Sequence, residues 1–292
     1  MAKLRPEISD PVSRTMMIPL WARAMEQREP QPLVIDPVAA AMVDQIDYDW
    51  RQIRLSRGDL VQCVVRLREF DRFVRDFLQR HPAAAVVHLG CGLDARFQRV
   101  DNGQVSWFDL DLPDVIAVRR ELLPESARDR YLAGSVFEPD WMAQVDRLDA
   151  EPVLFVAEAL LPYFEEARVK DLVLTLVERF PGAELVCDVC TPLAVRIDNL
   201  HLRFTRSAAR MRWAVKDPRD LEAWGSGIRL VESFCYFDDP EPRMGLPSWF
   251  GRMPVLAHST SIQRYQLGTA TAPASRDSSR NGPSGAPLWW AG

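Results

Sequence analysis

The chain has 292 residues, of which 47% are hydrophobic and 26% are charged, a composition typical of a globular protein with a substantial core. Its net charge is −5 and its basic residues are scattered, so the composition argues against a nucleic-acid-binding protein. No apolar run reaches membrane-spanning length and the amino terminus lacks the apolar centre of a signal peptide. We therefore expect a cytoplasmic protein without a membrane or nucleic-acid partner.

The first quarter of the chain predicts a helical cap followed by one long helix. We expect residues 1–12 to be frayed, residues 13–47 to form short helices, and residues 51–58 to form a polar bridge. Residues 59–79 have the periodicity of an amphipathic helix, for which Asp59 is a plausible N-cap. This pattern predicts a cap over residues 1–58.

Strands and helices then alternate, which is typical of an α/β protein whose parallel sheet is covered on both faces. The predicted strands are 84–89, 105–110, 130–133, 153–157 and 183–188, and the predicted helices are 95–100, 114–122, 140–145 and 165–180. Two further strands at 229–237 and 261–267 are expected to form a hairpin. Ligands bind such a sheet at the carboxyl ends of its strands.

Two segments interrupt this pattern. Residues 191–227 form an insertion within a core domain that spans residues 59–267, and we interpret residues 191–224 as a helical lid. Residues 268–292 are rich in Ser, Gly, Pro and Ala and predict a disordered tail, in which Trp289 and Trp290 are out of place.

A nucleoside-binding pattern follows the first two strands. The first strand ends in Gly90-Cys91-Gly92, whose backbone can approach a ligand closely, and the second ends in Asp109-Leu110-Asp111. A carboxylate at that position accepts hydrogen bonds from ribose hydroxyls. A tight turn with a capping aspartate is the alternative, and we consider it weaker.

Two nucleoside cofactors compete for this pattern. The dinucleotide-binding pattern of an oxidoreductase has a third glycine at the position of Ala95. Asp94 in the turn would also repel the pyrophosphate of a dinucleotide. S-adenosylmethionine has no phosphate, so the pattern favours a methyltransferase and leaves a nicotinamide-dependent oxidoreductase as an alternative.

The chain resembles the leucine carboxyl methyltransferase superfamily, and within it the bacterial branch of tetracenomycin polyketide O-methyltransferases. The resemblance runs from about residue 12 to about residue 267, and its matching segments are residues 19–24, 35–39, 66–71, 88–96, 108–115, 157–164 and 212–219. It implies a class I S-adenosylmethionine-dependent methyltransferase, with a Rossmann-like sheet of seven strands whose last strand is antiparallel.

Arg66 is the sharpest inference from periodicity alone. Turning about 100° per residue along the helix places Arg66 among inward-facing phenylalanines, whereas Arg68 falls on the outer face. A buried guanidinium needs an anion, for which Asp71 and a cofactor carboxylate both qualify. The resemblance implies that Arg66 holds the carboxylate of the cofactor.

The remaining cofactor assignments combine position with resemblance. Asp111 is preferred to Asp109 for the ribose, because the resemblance implies that the second acid of this motif binds the ribose; we expect only one of the two to face the ligand. Adenine is expected beside Ser135 and Val136, where the family pattern usually has an acid. The predicted cofactor-binding residues are Arg66, Gly90, Cys91, Gly92, Asp94, Asp109, Leu110, Asp111, Ser135, Val136 and Glu158.

The acceptor is expected to be a small molecule with a carboxylate. A carboxylate is ionised at neutral pH, whereas a phenol or alcohol needs a base, and no obvious His–Asp pair stands near the site. Tyr163 and His201 are the candidate catalytic residues, the latter as a base should the acceptor be a hydroxyl. One or two lid arginines are expected to face inward, among Arg196, Arg203, Arg206, Arg210 and Arg212.

Metal binding is not predicted, because Cys187 and Cys190 lie three apart on a strand and the four histidines lack ligand spacing. Two further functions stay open: methylation of a protein's terminal carboxylate, and a catalytically silent protein that binds the cofactor and acts through interactions.

Overall fold

The computed structural model describes residues 3–146, 152–204, 207–235, 241–245 and 259–268. Its centre is a seven-stranded sheet in the order β3-β2-β1-β4-β5-β7-β6. The strands are β1 (Ala85–Leu89), β2 (Ser106–Asp111), β3 (Asp129–Ala133), β4 (Val153–Ala157), β5 (Ala183–Cys190), β6 (Arg229–Cys235) and β7 (Thr260–Leu267). The first five are parallel, and β7 runs antiparallel between β5 and β6. The predicted fold class is confirmed.

Helices cover both faces of the sheet. They are α1 (Met17–Glu26), α2 (Pro37–Gln45), α3 (Arg57–Arg80), α4 (Arg96–Val100), α5 (Pro113–Leu122), α6 (Met142–Asp146), α7 (Glu166–Arg179) and α8 (Pro192–Phe204). Every residue of β1, β4 and β5 is buried, which is why these strands are mostly apolar rather than alternating, apart from His88 in β1 and Glu184 and Asp188 in β5. Because β1, β4 and β5 are parallel, their carboxyl ends lie at the same edge of the sheet, where the segments that follow them line a cavity.

The long helix α3 begins two residues earlier than predicted, and its N-cap is Ser56 rather than Asp59. The Ser56 side chain accepts the amide of Asp59, and the Asp59 carboxylate accepts the amide and hydroxyl of Ser56. This reciprocal capping box makes Asp59 the third helical residue.

The amino-terminal segment is ordered, contrary to the expectation of fraying for residues 1–12, at least from residue 3. Leu4 exchanges backbone hydrogen bonds with Gln45 and Asp47, and Ile8 is buried. The Ser9 amide and hydroxyl donate to Asp114 at the start of α5. Tertiary hydrogen bonds thus hold a segment whose sequence has no local periodicity.

The lid is helical only in part. After α8, residues 207–217 form neither helix nor strand, and a 3₁₀ helix follows at Pro218–Trp224. The predictions for Arg206, for strand residues 236–237 and for tail residues 269–292, including Trp289 and Trp290, lie outside the described residues. Within the described ranges, no helix is both long and apolar enough to cross a membrane.

Candidate functional site

A cavity of about 520 Å³ lies at the carboxyl edge of the parallel strands. Its walls come from the amino-terminal segment, from α3, from the turns after β1, β2 and β4, and from α8. Doubly wound sheets bind their ligands at this edge, and the volume is typical of a small-molecule pocket. Charged and histidine side chains in the wall are Arg23, Asp59, Arg66, His88, Asp94, Asp111, Glu158, Asp188, Asp198 and His201.

The glycine turn after β1 forms one end of the cavity. Gly90 and Gly92 both have positive φ, +68° and +52°, which glycine adopts without steric cost. A Cβ on Gly90 would lie 2.7 Å from Cδ1 of Leu160, so the neighbouring turn leaves no room for a side chain. The amides of Gly90 and Cys91 donate to the carbonyl of Leu110, which fixes the turn to β2.

Asp111 stands beside this turn in the cavity wall. Its two carboxylate oxygens accept the amides of Gly92 and Leu112, both at 2.7 Å, while burial raises the pKa of the carboxyl. A carboxylate has about four lone-pair positions, so two remain for further donors such as ribose hydroxyls. This geometry matches the preferred assignment.

Asp109 lies behind the wall, fully buried, and is not among the residues that line the cavity. It forms an ion pair with Arg119 and accepts the indole N–H of Trp107 at 2.8 Å. The structure thus separates the two acids of β2: one faces the cavity and the other neutralises a buried guanidinium.

Ser135 and Val136 are also absent from the cavity wall. The Ser135 hydroxyl accepts the amide of Phe137, and the carbonyl of Val136 accepts the indole N–H of Trp141. The turn that carries them is tied to β2 through the Gly134 amide, which donates to the carbonyl of Asp111. This bond joins the turn to the strand end that carries Asp111, but neither Ser135 nor Val136 lines the cavity, so their role in adenine binding stays a prediction.

Arg66 lies in the cavity wall, as the helical periodicity predicts. Its Nε donates to Oε1 of Glu158 at 2.9 Å, and Glu158 also pairs with Arg96. Burial would raise the pKa of Glu158, but the two guanidiniums outweigh burial and hold that pKa below its usual value. Asp71, the alternative partner proposed for Arg66, instead pairs with Arg96 and Arg99, each at 2.8 Å.

Asp94 is part of a buried network of charges. It pairs with Arg99 at 2.8 Å and Arg96 at 3.2 Å, and Arg23 stands at 4.0 Å. These arginines outweigh the effect of burial and hold the pKa of Asp94 well below its ordinary value. Asp36, Asp71 and Glu158 share these guanidiniums with Asp94, so the repulsion of a pyrophosphate by Asp94 stays a prediction.

The cavity wall also carries Tyr163, Asp188, Asp198 and His201. Burial, reinforced by Asp188 and Asp198, raises the pKa of Tyr163 to about 12. Burial raises the pKa of Asp198 and the charge of His201 opposes the change. The two stand three residues apart on α8 and both line the cavity, so the expectation that no His–Asp pair stands near the site is wrong.

The expected inward-facing arginines of the lid are not found among the residues that the structure describes. Arg196, Arg203, Arg210 and Arg212 are exposed and none lines the cavity, while Arg212 pairs with Glu165. The expectation of an inward-facing arginine is therefore wrong for these four residues, and among the described wall residues carboxylates outnumber guanidiniums. Long charged side chains on a lid helix turn to water unless a partner is buried beneath them.

Sequence reasoning missed Asp188 and the arginines Arg23, Arg96 and Arg99. The sequence did carry a signal for these arginines, because the segments that resemble the family each contribute a charged residue to one buried network: 19–24, 35–39, 66–71 and 88–96.

The two cysteines of β5 have different surroundings. Cys187 packs in the core, whereas Cys190 lines the cavity.

Comparison with known proteins identifies a methyltransferase family. The family model described as leucine carboxyl methyltransferase matches residues 16–177. The tetracenomycin polyketide synthesis O-methyltransferase TcmP of Streptomyces glaucescens is 35% identical over 261 residues, covering 87% of this chain and 96% of the relative. The S-adenosyl-L-methionine-dependent methyltransferase dpfgK of Gibberella zeae is 27% identical over 256 residues, covering 80% and 85%.

A solved structure supports the fold. The DUF574-family protein of Streptomyces avermitilis superposes with a TM-score of 0.55 at 14% identity, covering 86% of this chain and 96% of that chain. At this identity the likeness concerns the architecture alone.

Proposed function

Because the chain belongs to the leucine carboxyl methyltransferase family and is an S-adenosyl-L-methionine-dependent methyltransferase, we propose that it methylates an oxygen atom of a small metabolite. The observation that carries this proposal is the cavity of about 520 Å³, which joins the glycine turn and Asp111 to an acceptor-binding end under α8. We propose a polyketide-like or aromatic acceptor, as in secondary metabolism, because the 35% identical relative is named for polyketide synthesis.

The residues of the cofactor end fit S-adenosylmethionine. Asp111 keeps acceptor positions for the ribose diol, and Arg66 offers a cation for the methionine carboxylate. The excess of wall carboxylates suits a cofactor that carries an ammonium and a sulfonium group. When bound, the cofactor supplies an activated methyl group, and the wall residues align it with the acceptor oxygen.

We propose a carboxylate as the acceptor. The family's description names carboxyl methylation, and a carboxylate is ionised at neutral pH without the help of a base. The apolar wall near the lid, which includes Ile18, Ile197 and Leu202, suits the rest of an aromatic molecule. Tyr163 would orient the acceptor oxygen, since its raised pKa keeps the phenol protonated and able to donate. A protein terminus is a weaker candidate, because the 35% identical relative belongs to polyketide synthesis.

A hydroxyl acceptor is the second candidate, and one observation favours it. His201 and Asp198 both face the cavity, so an imidazole with a nearby carboxylate is available as a general base. The exposed lid arginines remove one reason to expect an anionic acceptor.

The test uses a panel of aromatic carboxylic acids and phenols with cofactor labelled in its methyl group. A methyl ester releases volatile methanol in mild alkali, and that result supports a carboxylate acceptor. A base-stable methyl ether supports a hydroxyl acceptor, and His201→Ala should then lower kcat and remove the rise of kcat with pH on the acidic side of the profile, where a general base loses its proton. Labelled product in neither class of acceptor, with cofactor binding intact, would overturn the small-aromatic proposal.

A further inference from the structure

The turn after β4 holds an unusual backbone conformation at the cavity. Ala159 has a φ of +51°, and it is the one non-glycine residue with positive φ in the described part of the chain. Residues other than glycine adopt this left-handed conformation at a cost, so surrounding contacts must maintain it.

Asp188 supplies such a contact. It lies near the end of β5, is 3% exposed, and its Oδ1 accepts the amide of Ala159 at 2.8 Å. Burial and the charge of Glu158 raise the pKa of Asp188 to about 6, against an opposing effect of Arg66. A side chain from one strand thus fixes the backbone that follows the neighbouring strand.

The two neighbours of Ala159 both act at the cofactor end of the cavity. Glu158 precedes it and pairs with Arg66 and Arg96. Leu160 follows it and packs on the glycine turn, with Cδ1 at 2.7 Å from where a Cβ of Gly90 would stand. A change in the backbone conformation of Ala159 would move the side chains of Glu158 and Leu160, because these residues flank Ala159 in the same turn.

We propose that Asp188 is a positioning residue for cofactor binding. By accepting the amide of Ala159, it holds the left-handed turn that sets Glu158 against Arg66 and Leu160 against Gly90. The inference rests on the proposed cofactor end of the site and is independent of the identity of the acceptor.

Substitutions can separate two possible roles of Asp188: holding the Ala159 amide through a hydrogen bond, and supplying a negative charge. Asparagine keeps a side-chain oxygen that accepts the amide of Ala159, whereas alanine removes it. Glycine at position 159 adopts positive φ freely, so the turn would then need the hydrogen bond less.

The experiment measures the affinity for S-adenosylhomocysteine by calorimetry in the wild type, Asp188→Asn, Asp188→Ala, Ala159→Gly and the double variant Asp188→Ala/Ala159→Gly. We expect Asp188→Ala to weaken binding about tenfold or more, as the loss of a positioning hydrogen bond allows. Asp188→Asn should stay near the wild type, and the double variant should regain most of the loss when compared with Ala159→Gly alone.

Three outcomes would overturn the proposal: an unchanged affinity in Asp188→Ala, a double variant no better than Asp188→Ala, or a loss of kcat in Asp188→Asn with binding intact. The last outcome would make Asp188 a base that touches the acceptor. Circular dichroism checks folding, and Asp188→Leu replaces Asp188→Ala if that variant does not fold. Absence of binding in the wild type would instead contradict the proposed cofactor site.

Discussion

Arg66 and Arg68 are two helical residues of the same type in different surroundings. The Arg66 side chain is 18% exposed and lies in the cavity wall beside Glu158, whereas Arg68 pairs with Glu69 away from the cavity. We expect Arg66→Ala to weaken S-adenosylhomocysteine binding by about 2–4 kcal/mol, because the ligand's carboxylate would lose its cation. Arg68→Ala is the matched control for calorimetry and should bind as the wild type does; equal losses would contradict the assignment.

The two acids of β2 should respond to substitution in different ways. Asp111→Ala should weaken S-adenosylhomocysteine binding, with a smaller loss of unfolding free energy than Asp109→Ala, because it removes two hydrogen bonds to backbone amides but no buried ion pair. Asp109→Ala should cost about 3–5 kcal/mol of unfolding free energy, because Arg119 would keep a buried charge without its partner. Denaturant titration and calorimetry on the folded protein separate the two effects. A larger loss of affinity in Asp109→Ala would show that the ribose assignment is wrong.

Single residues also show how far a sequence can specify a site. Helical periodicity places Arg66 inward, but its partner Glu158 follows another strand, and only the packed structure brings the two together. Residues two apart on a strand share one face, so strand alternation does not distinguish Asp109 from Asp111. The structure distinguishes the two acids through Arg119, a residue of α5 that forms a buried ion pair with Asp109.

Among the elements, α3 carries Arg66 and starts at a capping box. Ser56→Ala removes the hydroxyl that accepts the Asp59 amide and should lower the free energy of unfolding by about 1 kcal/mol. Since Ser56 does not line the cavity, the affinity for S-adenosylhomocysteine should stay unchanged. Denaturant titration measures the first effect and calorimetry the second. A parallel loss of affinity would mean that the start of the helix belongs to the site.

Strands were easier to predict than the lid for a physical reason. Most of the parallel strands have an apolar centre flanked by polar or glycine residues, so their limits can be located to within one or two residues. Residues 207–217 obtain their hydrogen bonds from elsewhere: Asn199 bonds the backbone of Met211, and the amide of Trp213 donates to Pro162. Hydrogen bonds to residues distant in sequence produce no periodic pattern of apolar residues, which is why the predicted helix over residues 207–217 is wrong.

The molecule as a whole joins its amino-terminal helices to the sheet domain. Arg23 of α1 pairs with Asp36, which also pairs with Arg99 of α4. Apolar residues of α1 and α2 share one core with residues of the glycine turn and of α5. The cap over residues 1–58 that the sequence predicts as a separate unit therefore shares both apolar contacts and buried charges with the rest.

This shared core predicts that the cap and the sheet unfold together. Leu20 of α1 is fully buried in that core, so Leu20→Ala should cost about 2–5 kcal/mol, the loss typical of a large-to-small core substitution. Scanning calorimetry should show one transition that shifts as a whole to lower temperature. Leu200→Ala, the same change at a side chain that is 55% exposed on α8, is the control and should leave the midpoint nearly unchanged. An independent cap would give a different result: a separate early transition in Leu20→Ala, followed by a main transition at the wild-type temperature.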